Sequence, residues 1–515
     1  MTLHWVHTSD VHGNLDALRG IEDYVNKLRT DNGSAHIILS DGGDVLQGHP
    51  CVYYHNYIDT RSPHILVETM NRMHYDCMAV GNHDIEAGHS VYDSVFPQFH
   101  FPVLCANVTK EGSNQPYFQP YYIIEKGGLR IAVLSLLTPD AEHWLSPSQY
   151  EGMTFGAPKE SAKYWIAQIK QEVQYDLLVG LFHIGWEELE PLAENVQDFD
   201  LILYGHDHHQ GIHTVGRTLC AAPSALGTSF VSLKINTETK EISAEVKANI
   251  SSTKLSANSS PWERWGEASI GSIDADLNEF DSYFGPSSFL CLTHQLQLAA
   301  TGAQVSLAAP ISYDTFIPAG PLTNLDVFKL YDRDSQLYTM RFTLEEIKGI
   351  LEYSYSLWTD VMTSPSDHAL LLDYLLDNGT RLCLKNFTIN FLTAYGLDYT
   401  VDLTKPYGHK VTFLSVSGKN SSLPYACTPP WGLQVAINSF HANGGGNILT
   451  RGTGLTYSQL RERIIKVEKN DLRRCLADEL KKVGDYRLKD VSNWHFIPED
   501  WAQEALARDR EIISD

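Results

Sequence analysis

Two α/β domains are what this chain predicts, and two observations carry that reading. Its 515 residues exceed what one ordinary core organises. Over residues 1–235, short apolar runs alternate with stretches of helical spacing, the pattern of a layered α/β domain. Residues 251–269 are polar and serine-rich, with Pro261 among them, and read as a linker between a domain at 1–250 and another at 270–515.

In chain order, the first apolar run is Leu3–Val6, followed by Asp10-Val11-His12. Leu15, Leu18, Ile21, Val25 and Leu28 then step at helical spacing, with Asn14 placed as N-cap. Four more runs follow: Ile37–Leu39, Met78–Val80, Leu177–Leu181 and Leu201–Leu203. Each ends in polar residues: Gly43-Asp44, Gly81-Asn82-His83-Asp84, Phe182-His183 and Gly205-His206-Asp207-His208. Open α/β sheets bind ligands outside the carboxyl ends of their strands. Five such ends bearing His, Asp and Asn can meet in one cleft, and imidazole mixed with carboxylate suits transition metals better than Ca or Mg. Any one of these motifs is weak alone, since Asp and His are common in turns; the five in order read as one site.

The second domain is expected to carry helices at Phe289–Thr301 and Leu344–Trp358. Its tail aromatics, Trp494, Phe496 and Trp501 around Pro498, read as core.

Composition narrows the function classes. Lys plus Arg number 39 against 63 Asp plus Glu, a formal charge of −24, which argues against docking on a nucleic-acid polymer. A small anionic substrate remains compatible, because bound dications dominate their local field. No apolar run is long enough to span a membrane. The first strand-like run begins at Leu3, which leaves no room for a secretory signal and reads as cytoplasmic for the sequence as written; the alternative is an exported protein whose signal has been removed. The 8 cysteines are scattered without a Cys-x-x-Cys pair and are expected to be reduced.

The five motifs in this order resemble the calcineurin-like metallophosphoesterases, specifically the 5′-nucleotidase and 2′,3′-cyclic-nucleotide 2′-phosphodiesterase family. The resemblance implies a four-layer α/β/β/α sandwich followed by an α/β substrate domain. It implies two divalent ions (Mn, Zn, Fe, Co or Mg), with Asp10, His12 and His208 on one, Asn82, His183 and His206 on the other, and Asp44 between them. His83 occupies the position of the family's catalytic histidine. Nucleotidase relatives usually place Asp three positions later; here that position is Glu86, and Asp84 is the neighbouring alternative.

The resemblance extends through Asn390–Gly396 and Asn438–Asn447. In the family, aromatics at the positions of Phe391 and Phe440 sandwich a base, beside the turn Asn443, Gly444 and Gly445. Where relatives often carry Gly-Gly-Ile-Arg, this chain has Ala308-Ala309-Pro310-Ile311-Ser312, and Gly446 stands where Asp is common. The missing arginine points to the cyclic-phosphodiesterase and 3′-nucleotidase branch, with 5′-nucleotidase or UDP-sugar hydrolase as the alternative within the family. A non-catalytic nucleotide-binding or surface protein is the alternative of another class. The expected partner is a small-molecule nucleotide, and a monomer is favoured.

Overall fold

The computed structural model describes all residues except 251–259, 313–314, 332–334, 375–381, 419–420, 424–431, 490 and 515. The chain divides into two compact units, Met1–Glu263 and Arg264–Asp515. Of the stretch expected to be a linker, residues 251–259 lie outside the described residues. Its second part is ordered: Pro261–Glu267 is helical and a strand starts at Ser269.

The first unit is built on two six-stranded sheets. In chain order its strands are β1 (Thr2–Thr8), β2 (Ile37–Asp41), β3 (Cys77–Ala79), β4 (Val103–Leu104), β5 (Tyr121–Lys126), β6 (Leu129–Leu137), β7 (Leu177–His183), β8 (Leu201–Tyr204), β9 (Gly211–Val215), β10 (Thr218–Ala222), β11 (Ser229–Asn236) and β12 (Ile242–Ala248), leaving aside a small two-stranded pair. The first sheet runs β12-β11-β1-β2-β3-β4 and the second β9-β10-β8-β7-β6-β5. β1, β2, β3 and β4 are parallel to one another, as are β6, β7, β8 and β10. Parallel strands put their carboxyl ends on one edge, and the five motifs leave from five of those ends.

Alternation along the strands divides the core. Leu3 and Trp5 of β1 join Leu181 of β7 and Leu203 of β8 in one cluster between the sheets. Val6 and Leu39 face the opposite way, onto the helix Leu15–Asn32. Leu178, Phe182 and Ile202 pack beneath the helices Pro158–Glu172 and Trp186–Asn195. The four layers are therefore α/β/β/α. The first helix starts where Asn14 predicts: its side chain accepts the Ala17 N–H at 3.1 Å.

In the second unit a five-stranded sheet runs Thr393–Tyr395, Val305–Ala308, Leu433–Asn438, Gln336–Phe342, Ile464–Asp471. Its main helices span Ser288–Thr301 and Leu344–Trp358, close to the expected ranges, and bury Leu292, Leu296, Ile347 and Leu351 among others. Trp494 and Phe496 lie in the same core and Trp501 packs against it, as the tail's aromatic content predicts. Seven cysteines are free thiols, and Cys427 lies outside the described residues. No helix among the described residues is long and apolar enough to cross a membrane.

Candidate metal centre

The residues predicted to meet do meet, and their backbone is held in unusual conformations. Among the described residues, non-glycine positions with positive φ are Asp10, His12, Asp44, His74, His206, His208, Leu226, Lys240 and Asn447. Five of these nine are predicted ligands. Left-handed backbone costs a side-chain-bearing residue free energy and persists where the surroundings impose it. Here they do: the Asp10 N–H donates to the Gly43 carbonyl and the His12 N–H to the Asp44 carbonyl, each at 3.0 Å, so the first two loops brace each other. The Asp10 carboxylate also accepts the His206 N–H, at 3.2 and 3.1 Å.

Hydrogen bonds assign the tautomers. His12 Nδ1 lies 2.8 Å from Gln47 Oε1, which places its proton on Nδ1 and leaves Nε2 bare. That Nε2 is 3.2 Å from His208 Nε2, which is itself 3.6 Å from Asp10 Oδ1. His183 Nδ1 donates to the Gly42 carbonyl at 2.8 Å, so its Nε2 faces Asn82 Oδ1 at 3.0 Å and Asp44 Oδ2 at 3.2 Å. Asp44 Oδ2 is buried and accepts no hydrogen bond, while Oδ1 takes the His83 N–H at 2.8 Å. Acceptors that converge on acceptors away from water require a positive charge among them.

Without a metal, that charge is a proton on His183. Burial opposes it, but the Asp44 and Asp10 carboxylates raise the imidazole to about 10. Asp44 sits well below the usual carboxylate range: burial works the other way and is outweighed by His183, His83 and His12. Burial holds His12 and His206 neutral, at about 4 and about 3, which is the protonation state a metal ligand needs. Two sets of three ligand atoms lie close enough to share an ion: Asp10, His12 and His208, and Asp10, Asp44 and His183. Asp10 is common to both; in the sequence reading that shared position belongs to Asp44. The donor set fits divalent transition metals.

The two carboxylates beside His83 do different work. Glu86 Oε2 bonds His83 Nδ1, one helical turn away on the helix Asn82–Glu86. Asp84 is fully buried, and its oxygens accept the N–H groups of Asp44, Val45, Leu46 and Gly81, each at 2.9 Å. It clamps the Asp44 loop. Burial, aided by the Asp44 charge, raises its carboxyl to about 6. The His83 ring lies 5.5 Å from that of His12 and is partly exposed, as an acid or base in a cleft should be.

Three supporting residues were not read from the sequence. Gln47 fixes the His12 tautomer. Ser9 donates to Asp10 Oδ2 at 2.5 Å, and Gly42 and Gly205 leave room for its hydroxyl, since a Cβ at either would fall within 2.3 Å of it. Trp144 stacks on His206, with centroids 5.3 Å apart and planes inclined by 17°. Spacing carried a hint for Ser9 and Gln47, which adjoin ligand motifs; for Trp144 it carried none. Asp41 accepts the Thr8 hydroxyl at 2.6 Å and the Gly43 N–H at 2.8 Å, and so shapes the turn before Asp44.

In the second unit the predicted base contacts separate. Phe391 is 1% exposed and stacks on Trp358 at 5.2 Å and 4°, which in turn stacks on Tyr355 at 5.1 Å and 10°. It is the end ring of a core column and presents no face to a ligand, a correction to the sequence reading. Phe440 is only partly buried and lies flat on Gly445, where a Cβ would fall 2.5 Å from the ring. Tyr457 lies on Gly444 in the same way, at 2.3 Å. Asn443 is buried, its N–H bonded to the Ser439 carbonyl at 2.9 Å. Ser312, which ends the stretch Ala308–Ser312, gives its N–H to buried Glu279 at 2.6 Å.

Comparison with known proteins agrees with this architecture. Residues 3–210 match the calcineurin-like phosphoesterase family, and residues 269–451 match the 5′-nucleotidase C-terminal domain. A 5′-nucleotidase of Vibrio cholerae is 30% identical over 190 residues, which are 35% of this chain and 33% of that protein, so the match spans about a third of the relative. A 2′,3′-cyclic-nucleotide 2′-phosphodiesterase/3′-nucleotidase of Haemophilus influenzae is 23% identical across 90% of this chain and 80% of its own length. The crystal structure of a 5′-nucleotidase precursor from Thermus thermophilus superposes with a TM-score of 0.63 at 22% identity, covering 97% of this chain and 100% of that one, and shares the fold.

Proposed function

We propose, for a chain that belongs to the calcineurin-like phosphoesterases and carries a 5′-nucleotidase C-terminal domain, that it hydrolyses nucleotide phosphoesters and prefers 2′,3′-cyclic and 3′-nucleotides. The observation that carries the hydrolytic part is the convergence of ligand-type side chains from five strand ends, His183 Nε2 lying 3.0 Å from Asn82 Oδ1 and 3.2 Å from Asp44 Oδ2 above all. Asp10, His12 and His208 would hold one divalent cation, and Asn82, His183 and His206 a second, with Asp44 shared. Bound there, the pair supplies the charge that clamps the attacking and leaving oxygens of an in-line phosphoryl transfer.

The chain's own groups do the rest. Glu86 on Nδ1 holds a proton there and orients His83, so that Nε2 faces the phosphoryl group and carries the proton passed to the leaving oxygen. Asp84 keeps the Asp44 loop in register by its four amide contacts. In the second unit Phe440 is the stacking face for a base; a base platform is sequence-tolerant and contributes about 1–3 kcal/mol.

The preference for the cyclic substrate rests on charge, and that for 3′-nucleotides on the family resemblance alone. A 2′,3′-cyclic phosphate is a singly charged diester and makes less demand for cationic partners than a dianionic monoester or a pyrophosphate. By the family resemblance Ala-Pro stands where relatives place arginine, and the Ser312 N–H just beyond it is taken by Glu279. A panel of 2′,3′-cyclic, 3′- and 5′-nucleotides, UDP-glucose and ATP, assayed with added Mn²⁺, tests this. The expected result is higher kcat/KM for the cyclic and 3′-substrates than for UDP-glucose or ATP. Efficient UDP-glucose hydrolysis with negligible cyclic-nucleotide turnover overturns the preference. Silence across the panel in metal-loaded protein favours the non-catalytic alternative.

A further inference from the structure

The candidate imidazoles differ in what holds them. His12 and His183 are each fixed by a hydrogen bond through Nδ1, to Gln47 and to the Gly42 carbonyl. That is how ligating histidines are usually oriented, and losing such a partner typically costs 10–100-fold in metal affinity. His206 is held otherwise. Its backbone N–H is bound by Asp10, but among the described residues no hydrogen bond reaches its ring nitrogens. Rings contain it instead: Trp144 lies flat on one face at 5.3 Å and 17°, and the His183 ring meets it at 5.1 Å and 61°.

Trp144 is itself placed by the strands that carry the site. It ends the short helix Ala141–Trp144, which follows the carboxyl end of β6. The Thr138 N–H at the head of that connection donates to the His183 carbonyl at 2.9 Å. Ala141 and Leu145, on either side of the turn, are buried in the first unit's core. The Trp144 N–H donates to the Asp140 carbonyl at 3.2 Å, closing the turn that turns the indole toward His206. The indole is thus tied by backbone to the strand whose last residue is a candidate ligand.

We propose that Trp144 is the positioning residue for His206, performing by stacking what hydrogen bonds perform for His12 and His183. This rests on the dimetal reading above. A flat contact fixes the plane of the imidazole while leaving both nitrogens free, so the nitrogen turned to the cation is chosen by the cation. The neighbouring set, Asp10, His12 and His208, does not depend on Trp144 and serves as an internal reference.

The test is calorimetric titration of Mn²⁺ into the chelator-stripped full-length chain, for wild type, Trp144→Ala and Trp144→Phe, with thermal unfolding of each. Wild type is expected to take up two ions. Trp144→Ala should weaken one of the two sites by about 10–100-fold, and Trp144→Phe, which keeps an aromatic face, should restore most of that loss. Mn²⁺ binding by Trp144→Ala indistinguishable from wild type overturns the proposal while leaving the dimetal reading intact. So does equal weakening of both sites with a lowered Tm, which marks general loss of local fold, and so does failure of Trp144→Phe to restore affinity. A change confined to KM, with Mn²⁺ affinity unmoved, also overturns it and assigns the indole to substrate. No Mn²⁺ uptake by wild type defeats the dimetal reading itself, and the proposal with it.

Discussion

The loops at the carboxyl ends of β1, β2, β7 and β8 and the aromatic column Tyr355–Trp358–Phe391 are both buried, yet burial leaves them in opposite conditions. In the column the rings stack on one another and their polar tips are satisfied, Trp358 Nε1 donating to the Tyr283 carbonyl and the Tyr355 hydroxyl paired with that of Tyr399, each at 3.0 Å. In the loops, carboxylates, imidazoles and an amide oxygen crowd together, backbone is held at positive φ, and buried Asp44 Oδ2 faces the His183 imidazole at 3.2 Å. Buried apolar groups complete themselves by contact, whereas buried acceptors call for a charge from outside. Burial alone therefore says little about function; the chemistry of what is buried decides.

The contrast sharpens first at His83, where the largest effect is expected. His83→Ala should slow turnover by about 10²–10⁴-fold, the usual range for a positioned acid or base, with both metals retained. Glu86→Gln should reproduce part of that loss, also with metals bound. Asp84→Asn should instead lower metal content, because its carboxylate holds the Asp44 loop. Kinetics alongside metal analysis of the three variants distinguish these outcomes; an Asp84→Asn protein that keeps its metals and loses rate would transfer the pairing role to Asp84.

Next come the two phenylalanines. Phe391→Ala should cost about 3–5 kcal/mol of stability, the usual range for truncating a buried aromatic. Phe440→Ala should cost far less stability yet raise KM for nucleotides, leaving hydrolysis of a simple aryl phosphate nearly unchanged. Denaturant unfolding and paired substrate assays read both effects. Equal destabilisation by the two changes would break the distinction between a core ring and a stacking face.

The smallest effect concerns pH in the second unit. Burial holds His294 at about 3 and His441 at about 4, so the folded chain keeps them neutral where the unfolded chain binds protons. Their stabilising contribution is complete above an unfolded value near 6.5 and falls as pH drops toward 4, by about 1.4 kcal/mol per pH unit for each group. Urea unfolding between pH 7 and 5 should show that slope reduced by one group's share in His294→Gln. An unchanged slope would count against it.

The same difference explains what could be read from the sequence. The motif loops were legible because five apolar runs in order each end in Asp, His or Asn, a coincidence that no single such turn carries. Glu86 was legible only through the family resemblance, which implies a carboxylate three residues after His83; the two share one helix. Phe391 was not: an aromatic among apolar neighbours carries no polar atom to betray whether it faces a ligand or another ring. The bracing contacts of Gln47 and Trp144, and the close approach of Gly42 and Gly205 to Ser9, were hidden because each joins loops far apart in the chain, and only the register of the strands brings them together. The polar stretch before Ser269 concealed a helix at Pro261–Glu267, whose Trp262 is buried in the first unit's core.

The account stands or falls on the charge that the first unit's acceptors require. Metal analysis of the purified full-length chain, equilibrated with Mn²⁺ and freed of excess, measures it directly, with Asp44→Ala and His208→Ala beside wild type. Two ions per chain in wild type, one in His208→Ala and fewer than one in Asp44→Ala are the predicted result. No ion in wild type, or two in Asp44→Ala, would contradict it.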